Sequence, residues 1–583
     1  MKNFLIGLVS GFLLAGLTSV ILLFVVVRVA ASFGDKSPKV ADGSTLIFKL
    51  EGAIPEKPPT EIPLPFLEDH SPLSMVQVWE TFRKAAADPK VKAILFEPRG
   101  VNVGFARLQE IHDEMVQFRK SGKPLVAFLR SPGTREYYLA SACDRIYMEP
   151  EDSLDLKGLR VEAMYVKDTL DKVGAHMDVV HAGKYKDAGD MFTQSGMTPE
   201  TREVLNNVLD QIYGDLVSTI ATGRKKQPEE IKAIIDEGPF MGERAVTAGL
   251  VDVLAFDEQV ASDLSKRLNQ GELKRLALKT YLKTSGASIG VDGGKRIALI
   301  VGSGEIHRGS GTTAFGDQEG IYSGAFTKLL RDVENDSSIK GAILRVDSPG
   351  GDGVASDDIL HAAKNLSRKK PLVISMGDYA ASGGYFISMT GDPIVAYPNT
   401  LTGSIGVIFE RLNLRGAYDK LGVKKELLTR GRYADLDSDY APLSDDERNK
   451  IRSQIDEFYR VFVSRVADGR KQPFAKMEQL AQGRVWMGAQ AKRNGLIDEL
   501  GGLDRALELV KKRANIPAGD KITLVPFPPK KNIFELLASR SAVDKPELDL
   551  KLQAQIGKLL GIPIGVWKEG GFLKSMPYTI SIH

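Results

Sequence analysis

The sequence predicts an α/β protein made of two tandem repeats behind an N-terminal transmembrane helix. Three observations predict it. Short apolar runs rich in β-branched residues alternate with amphipathic segments of helical spacing, the pattern of α/β domains. Landmarks of the first half recur in the same order in the second half at a nearly constant offset, and an uncharged run, Phe4 to Val27, precedes both halves.

The uncharged run comes first. As a helix rising about 1.5 Å per residue, it spans the roughly 30 Å hydrocarbon core of a bilayer. It exceeds the apolar core of a secretory signal, usually about 7 to 15 residues, and is therefore read as a membrane anchor. A cleaved signal is the alternative, because Val29-Ala30-Ala31 supplies small residues of the cleavage-site kind. Lys2 lies on one flank and Arg28, Lys36 and Lys39 on the other, so the positive-inside count leaves sidedness open. Gly7 and Gly11 form a GxxxG within the span, a spacing used in helix pairing and also common in such spans generally.

The repeats follow. KAILFE at Lys92 is answered by GAILRV at Gly341, each an apolar run that suits a buried strand. GRKKQP at Gly223 is answered by GRKQP at Gly469, and both follow long stretches with helical apolar spacing. MGERAVTAGLVD at Met241 is answered by MGAQAKRNGLID at Met487. The chain thus divides into an anchor and linker over 1–45, a first α/β repeat over 46–265, a linker over 266–295, a second α/β repeat over 296–519 and a tail over 520–583. The linker ends in SGASIGVDGGKR, which has no periodicity, and the tail is read as having no counterpart in the first half.

Composition narrows the function. A net charge of +3 over 583 residues is close to neutral and gives no reason to expect a nucleic-acid partner. The single cysteine, Cys143, excludes intramolecular disulfides and multi-thiolate zinc sites; core packing is its expected role.

The two copies differ where chemistry would sit. KPLVISMGDYAASGGYFIS in the second half is answered by KPLVAFLRSPGTREYYLAS in the first, with Ser-Gly-Gly read as replaced by Arg135, Glu136 and Tyr137. Conversely GKYKD at Gly183 is answered by GRYAD at Gly431, so Lys186 faces Ala434. One copy keeps a serine and the other a lysine. An enzyme with a split Ser/Lys pair would leave this complementary loss after duplication.

Ser382, followed by Gly383 and Gly384, stands between a strand-like and an apolar stretch. Glycines there let backbone amides approach a reacting carbonyl at a tight strand-to-helix turn. A second glycine pair, Gly350-Gly351, follows GAILRV in DSPGGD, where the first half has PRGVN. Amides at such a turn can bind an oxyanion. None of the seven histidines lies in a motif beside Ser382, so the base is sought elsewhere. A lysine serves if a dry site keeps its amine neutral, and Lys186 is the candidate.

These residues resemble the signal peptide peptidase A family, also called protease IV, in its long form with two repeats. GKYKDA is similar to the family's general-base stretch, MGDYAASGGYFIS to its nucleophile stretch, and TLTGSIGVI from Thr400 to the block that follows. The likeness covers roughly residues 46 to 515, although YKDAGDMF lacks the acidic-proline sequence expected after the lysine. The resemblance implies a Clp/crotonase-like α/β fold, Ser382 as nucleophile, Lys186 as general base, Ser404 as the hydroxyl orienting the lysine, and amides of Gly350, Gly351 and Gly383 around the oxyanion. It implies no metal and no cofactor. It also implies cleaved signal peptides and other short or unfolded peptides as substrates, together with a homo-oligomer, a tetramer, on the lipid bilayer. The place implied is a bacterial inner membrane, crossed once, with the catalytic domains on the extracytoplasmic side. Sequence leaves open whether the pair forms within one chain or between neighbours. Two other readings stand beside this one: a non-catalytic membrane scaffold of the same fold, and a crotonase-type acyl-CoA enzyme.

Overall fold

The computed structural model describes residues 38–57, 72–313, 316–317, 319–527 and 572–575. Among the described residues no helix is long and apolar enough to cross a membrane; the run Phe4 to Val27 lies outside them.

Each half is built on a parallel sheet, and the two sheets share one strand order. In the first, neighbours run Val253–Leu254, Arg145–Met148, Leu125–Leu129, Val91–Asn102, Ser44–Ala53 and Arg275–Ala277, all parallel. In the second, Glu499–Leu500, Ile394–Ala396, Leu372–Ala381, Ile339–Ser348, Lys295–Ser303 and Ile522–Phe527 repeat that order. The central strands are buried nearly throughout, which is why they read as continuous apolar runs instead of alternating ones.

The helices repeat as well. Pro199–Arg224 and Asp445–Arg470 are both 26 residues long, begin at side-chain caps from Thr198 and Ser444, and end on left-handed Lys225 and Lys471. The arginine that closes each helix pairs with an aspartate, Arg224 with Asp252 and Arg470 with Asp498, at 2.6 Å in both halves.

Two boundaries need correction. Arg275–Ala277 falls in the segment read as linker, and Ile522–Phe527 in the tail read as unmatched, yet each is the outer strand of its sheet and they are counterparts. Three residues are too few to show a period, and Pro526 within ITLVPF reads against a strand, a position tolerated here because the strand is at the sheet edge.

The halves are packed into one another. Val76 and Trp79, from the first-half helix Met75–Ala87, lie in the core on one face of the second sheet with Ile297, Val373 and Leu507. Across the same contact Arg345 is buried between Glu56 and Glu110 of the first half, at 2.9 and 2.5 Å. Arg107 of the first half pairs with Asp378 and lies 3.4 Å from Asp347 of the second. Cys143 is buried.

A third sheet joins the halves near the candidate residues. His176–Ala182 of the first half runs antiparallel to Val407–Asn413 of the second, from Ala182 opposite Val407 to His176 opposite Asn413. Lys186 comes four residues after one strand ends, and Ser404 three before the other begins. The pairing register alone therefore brings them together.

Candidate active site

Ser382 ends the long strand Leu372–Ala381 and caps the helix Gly383–Ile387. Its backbone sits at φ 51° and ψ −115°, outside the ordinary regions for a residue with a Cβ. Such strain costs of order 1–3 kcal/mol and survives only where the surroundings fix it. Here the Ser382 N–H donates to Gly403 O at 2.8 Å, and Phe386 N–H donates back to Ser382 O at 2.8 Å. The serine is held at a sharp strand-to-helix turn, the setting in which a nucleophilic hydroxyl stands clear of its own backbone.

Lys186 is held by its neighbours' lack of side chains. A Cβ added at Gly483 would come within 2.6 Å of Lys186 Cβ, and one at Gly406 within 3.0 Å of its Cδ. The stem is thus sheathed by two glycine backbones. Lys186, Ser382 and Ser404 are all fully buried. Lys186 Nζ lies 2.9 Å from Ser382 Oγ, 2.9 Å from Ser404 Oγ and 3.0 Å from Ser404 O. The serine of one repeat, the lysine of the other and Ser404 thus meet within a single chain.

Gly383 packs directly on the second glycine turn. A Cβ there would fall 3.1 Å from Gly350 Cα, 3.2 Å from Gly351 N and 2.9 Å from Ser356 Oγ. Gly350 and Gly351 form the strand Gly350–Asp352 with φ of 113° and 144°, and the Gly350 N–H donates to Ser348 Oγ at 3.2 Å. The three predicted oxyanion glycines are therefore adjacent, with the Gly350 amide engaged by a neighbouring hydroxyl.

Two carboxyls lie within electrostatic reach of the amine. Burial pushes Glu410, on the strand Val407–Asn413, up to about 7, and the charge of Lys186 opposes that rise. Burial likewise raises Asp187 to about 6, opposed by its hydrogen bond from Thr201 and by Lys186.

The first copy places one residue differently from the sequence alignment. Tyr137 OH donates to Leu250 O and Tyr385 OH to Leu496 O, at 2.8 and 2.7 Å, so these tyrosines are counterparts. Thr134 therefore stands where Ser382 does, with Arg135 and Glu136 in place of Gly383 and Gly384. This corrects the reading of Arg135, Glu136 and Tyr137 as the replacements. The slip arose because the stretch from Pro124 to Thr134 is one residue shorter than the one from Pro371 to Ser382. The Glu136 carboxylate accepts from Val101 N–H at 2.6 Å and Gly133 N–H at 2.9 Å. The first copy thus satisfies its turn amides internally.

Comparison with known proteins gives the family. The profile described as Peptidase family S49 matches residues 117–271 and 364–517, once in each repeat. The chain belongs to Peptidase family S49. Among its S49 relatives, "Serine protease SPPA, chloroplastic" of Arabidopsis thaliana is 36% identical over 505 residues, covering 86% of this chain and 73% of that one. "Protease 4" of Salmonella typhi is 31% identical, covering 82% and 80% respectively, and "Protease 4" of Haemophilus influenzae is 28% identical, covering 85% and 83%. A mutant ClpP1 from Listeria monocytogenes aligns at a TM-score of 0.23 and 15% identity, covering 36% of this chain and 94% of its own. The S49 chain is thus a serine peptidase of the two-repeat signal peptide peptidase A kind.

Proposed function

We propose that this S49 peptidase cleaves short or unfolded peptides, cleaved signal peptides among them, through an acyl-enzyme on Ser382 with Lys186 as its base. The observation that carries the reading is the 2.9 Å approach of Lys186 Nζ to Ser382 Oγ in a fully buried setting. Burial penalises an ammonium and so favours the neutral amine that a base must be. A neutral amine has two N–H groups to donate to Ser404 O and Ser404 Oγ, which leaves its lone pair for the hydroxyl proton.

In acylation, Lys186 takes the proton from Ser382 Oγ as the oxygen bonds to the peptide carbonyl carbon. The C–N bond then breaks and the leaving amine takes that proton from Lys186. In deacylation the amine accepts a proton from water, the hydroxide oxygen bonds to the ester carbon, and the proton returns to Ser382 Oγ. Gly383 and Gly351 supply backbone amides for the carbonyl oxygen. The wider reading places the enzyme as a homo-oligomer, a tetramer, on a bacterial inner membrane. The Phe4 to Val27 run anchors it, and its repeats lie on the extracytoplasmic side.

A fluorophosphonate probe tests the centre. It is expected to label the wild-type chain at Ser382, at a rate that climbs between about pH 6 and 10 as the amine loses its proton. Ser382→Ala is expected to stay unlabelled. A flat rate over that range, or a label on another residue, would sink the proposed pair.

Glu410 sets where that climb falls. When ionised it favours the charged amine, so Glu410→Gln is expected to move the rise in activity to lower pH. Stability reports the same group. Its folded pKa of about 7 lies above that of an unfolded glutamate, so it contributes stability that is complete below the unfolded pKa and lost as pH rises through about 7. The melting temperature of Glu410→Gln is expected to match wild type near pH 4 and exceed it at pH 8. An unmoved rate profile together with parallel melting curves would refute the assignment.

A further inference from the structure

The strand that carries Ser382 is irregular just before the serine. In Leu372–Ala381, Met376 pairs with Val346 and Ala380 with Ser348, so Gly377, Asp378 and Tyr379 oppose the single residue Asp347. Such bulges bend a strand and re-aim the residues that follow, and they recur beside active sites. Here the strand also changes neighbours across the bulge. Ile374 and Ser375 pair with Ile394 and Val395, whereas Tyr379, Ala380 and Ala381 pair with Leu401, Thr402 and Gly403, the strand that leads into Ser404. The bulge therefore decides where Ser382 lies relative to Ser404.

The bulge is held from both halves. Within the second, Tyr379 N–H donates to Asp347 at 3.0 Å and the Thr400 hydroxyl donates to Gly377 O at 2.8 Å. From the first comes the helix Phe105–Arg119, which begins at Gly104 and so has no capping side chain of its own. Asp378 caps it across the contact, accepting from Gly104 N–H and Arg107 N–H at 2.9 Å each and from the Arg107 guanidinium. A Cβ at Gly104 would fall 2.3 Å from Asp378 Cγ, so the carboxylate takes the space of a local cap. The matching helix of the second half, Gly353–Lys369, is capped by its own Asp352. Arg107 also lies 3.4 Å from Asp347 and donates to Ile54 O at 2.9 Å. One guanidinium thus serves two aspartates, one three residues before Gly350 and the other four before Ser382. Counting from KAILFE and KPLV, the first copy has Pro98 and Ser131 at these places, so the aspartate pair belongs to the serine-bearing copy alone.

We propose that Arg107 is a positioning residue for the reaction, setting the serine turn and the glycine turn at their working separation by holding Asp378 ahead of the one and Asp347 ahead of the other. The inference rests on the peptidase reading above and adds to it a first-half residue that acts through two aspartates of the second half. A planar fork of donors suits this task, since it meets two carboxylates in fixed directions. Charge matters as much as shape. Burial raises the Asp347 carboxyl to about 6, and Arg107 opposes that rise, while Glu56 and Asp378 add to it. Without the guanidinium, two buried aspartates would face each other across the bulge, and the turns they precede would part. Catalysis is sensitive to such a shift, because a misplacement of about 1 Å between reacting groups costs about 10²-fold.

The test compares the full chain as wild type, Arg107→Met, Asp347→Asn and the double variant in turnover of a small apolar peptide ester, with folded concentration taken from near-UV circular dichroism. Arg107→Met is expected to lower kcat about 100-fold while KM moves less than about threefold, as for a shift of reacting groups with the binding surface intact. Asp347→Asn alone is expected to lower kcat about tenfold, because the amide still accepts from Tyr379 but turns an NH₂ group toward the guanidinium. In the Arg107→Met background the same change is expected to raise kcat about tenfold, since it removes a buried charge that has lost its partner. That reversal of sign is the decisive reading, because a residue that merely packs the halves together gives losses that add. Losses that multiply in the double variant, a kcat for Arg107→Met within about threefold of wild type, or a raised KM with unchanged kcat would each overturn the proposal. If Arg107→Met does not fold, Asp347→Asn decides alone, and an unchanged kcat there overturns it. Failure of the peptidase reading is seen separately, as absence of probe labelling at Ser382 in the wild-type chain.

Discussion

Replacing Lys186 by Met is expected to lower kcat for a small apolar peptide ester by about 10⁴-fold, the upper end of what one general base contributes. The substitution keeps an unbranched stem between Gly406 and Gly483, where the contacts at Cβ and Cδ leave no room for a different shape, and removes only the amine. Ser382→Ala is expected to cost more, on the order of 10⁶-fold, because the covalent path itself is lost. Lys186→Arg separates two possible roles. A guanidinium stays charged throughout the working range and accepts no proton, so that variant is expected to be as inactive as Lys186→Met. If it instead retains a tenth or more of wild-type kcat, positive charge near the serine suffices and the base lies elsewhere. KM is expected to move little in any of the three, since these groups touch the reacting atoms and not the length of the peptide. The double variant Ser382→Ala with Lys186→Met is expected to be no worse than Ser382→Ala alone, as for groups acting in one proton transfer.

Much of this site is legible in the sequence, for a reason particular to duplicated chains. A serine in Ser-Gly-Gly or a lysine before an aspartate says little by itself, but each copy serves as a control for the other. Geometry is another matter. No residue pattern announces that His176–Ala182 will pair with Val407–Asn413, because the pairing joins strands from different repeats and depends on backbone alone. The sheathing of Lys186 by Gly406 and Gly483 is hidden likewise. Gly406 stands within TLTGSIGVI, but the sequence does not show that it packs on the lysine stem. Glu136 is read correctly as a departure from the serine copy, but its carboxylate's capture of the Val101 and Gly133 amides follows only from the fold. The inner strands are legible as apolar, β-branched runs, whereas the edge strand Arg275–Ala277 is too short to leave a period and Ile522–Phe527 carries Pro526, which argues against a strand.

The contact between halves was the least legible feature, and it carries the largest expected effect on stability. Arg345 sits in GAILRV, a run whose other members are apolar, and an arginine ordinarily keeps its charge in solvent. It is instead buried, with its guanidinium bridging Glu56 and Glu110 and reaching Ser375 Oγ at 3.0 Å. Glu110 also accepts the Leu503 N–H at 2.8 Å. Removing one member of such a network leaves buried charge without a partner, which costs about 3–5 kcal/mol. Arg345→Met is therefore expected to lose about that much stability in denaturant titrations at pH 8. Adding Glu56→Gln to Arg345→Met is expected to recover part of the loss, since an amide removes one stranded charge. A midpoint for Arg345→Met equal to wild type would contradict a buried bridge. Because Lys186 and Ser382 come from opposite halves, the same bridge bears on chemistry. Probe labelling of folded Arg345→Met is expected to slow more than the unfolded fraction accounts for, as the two halves no longer hold the amine against the serine.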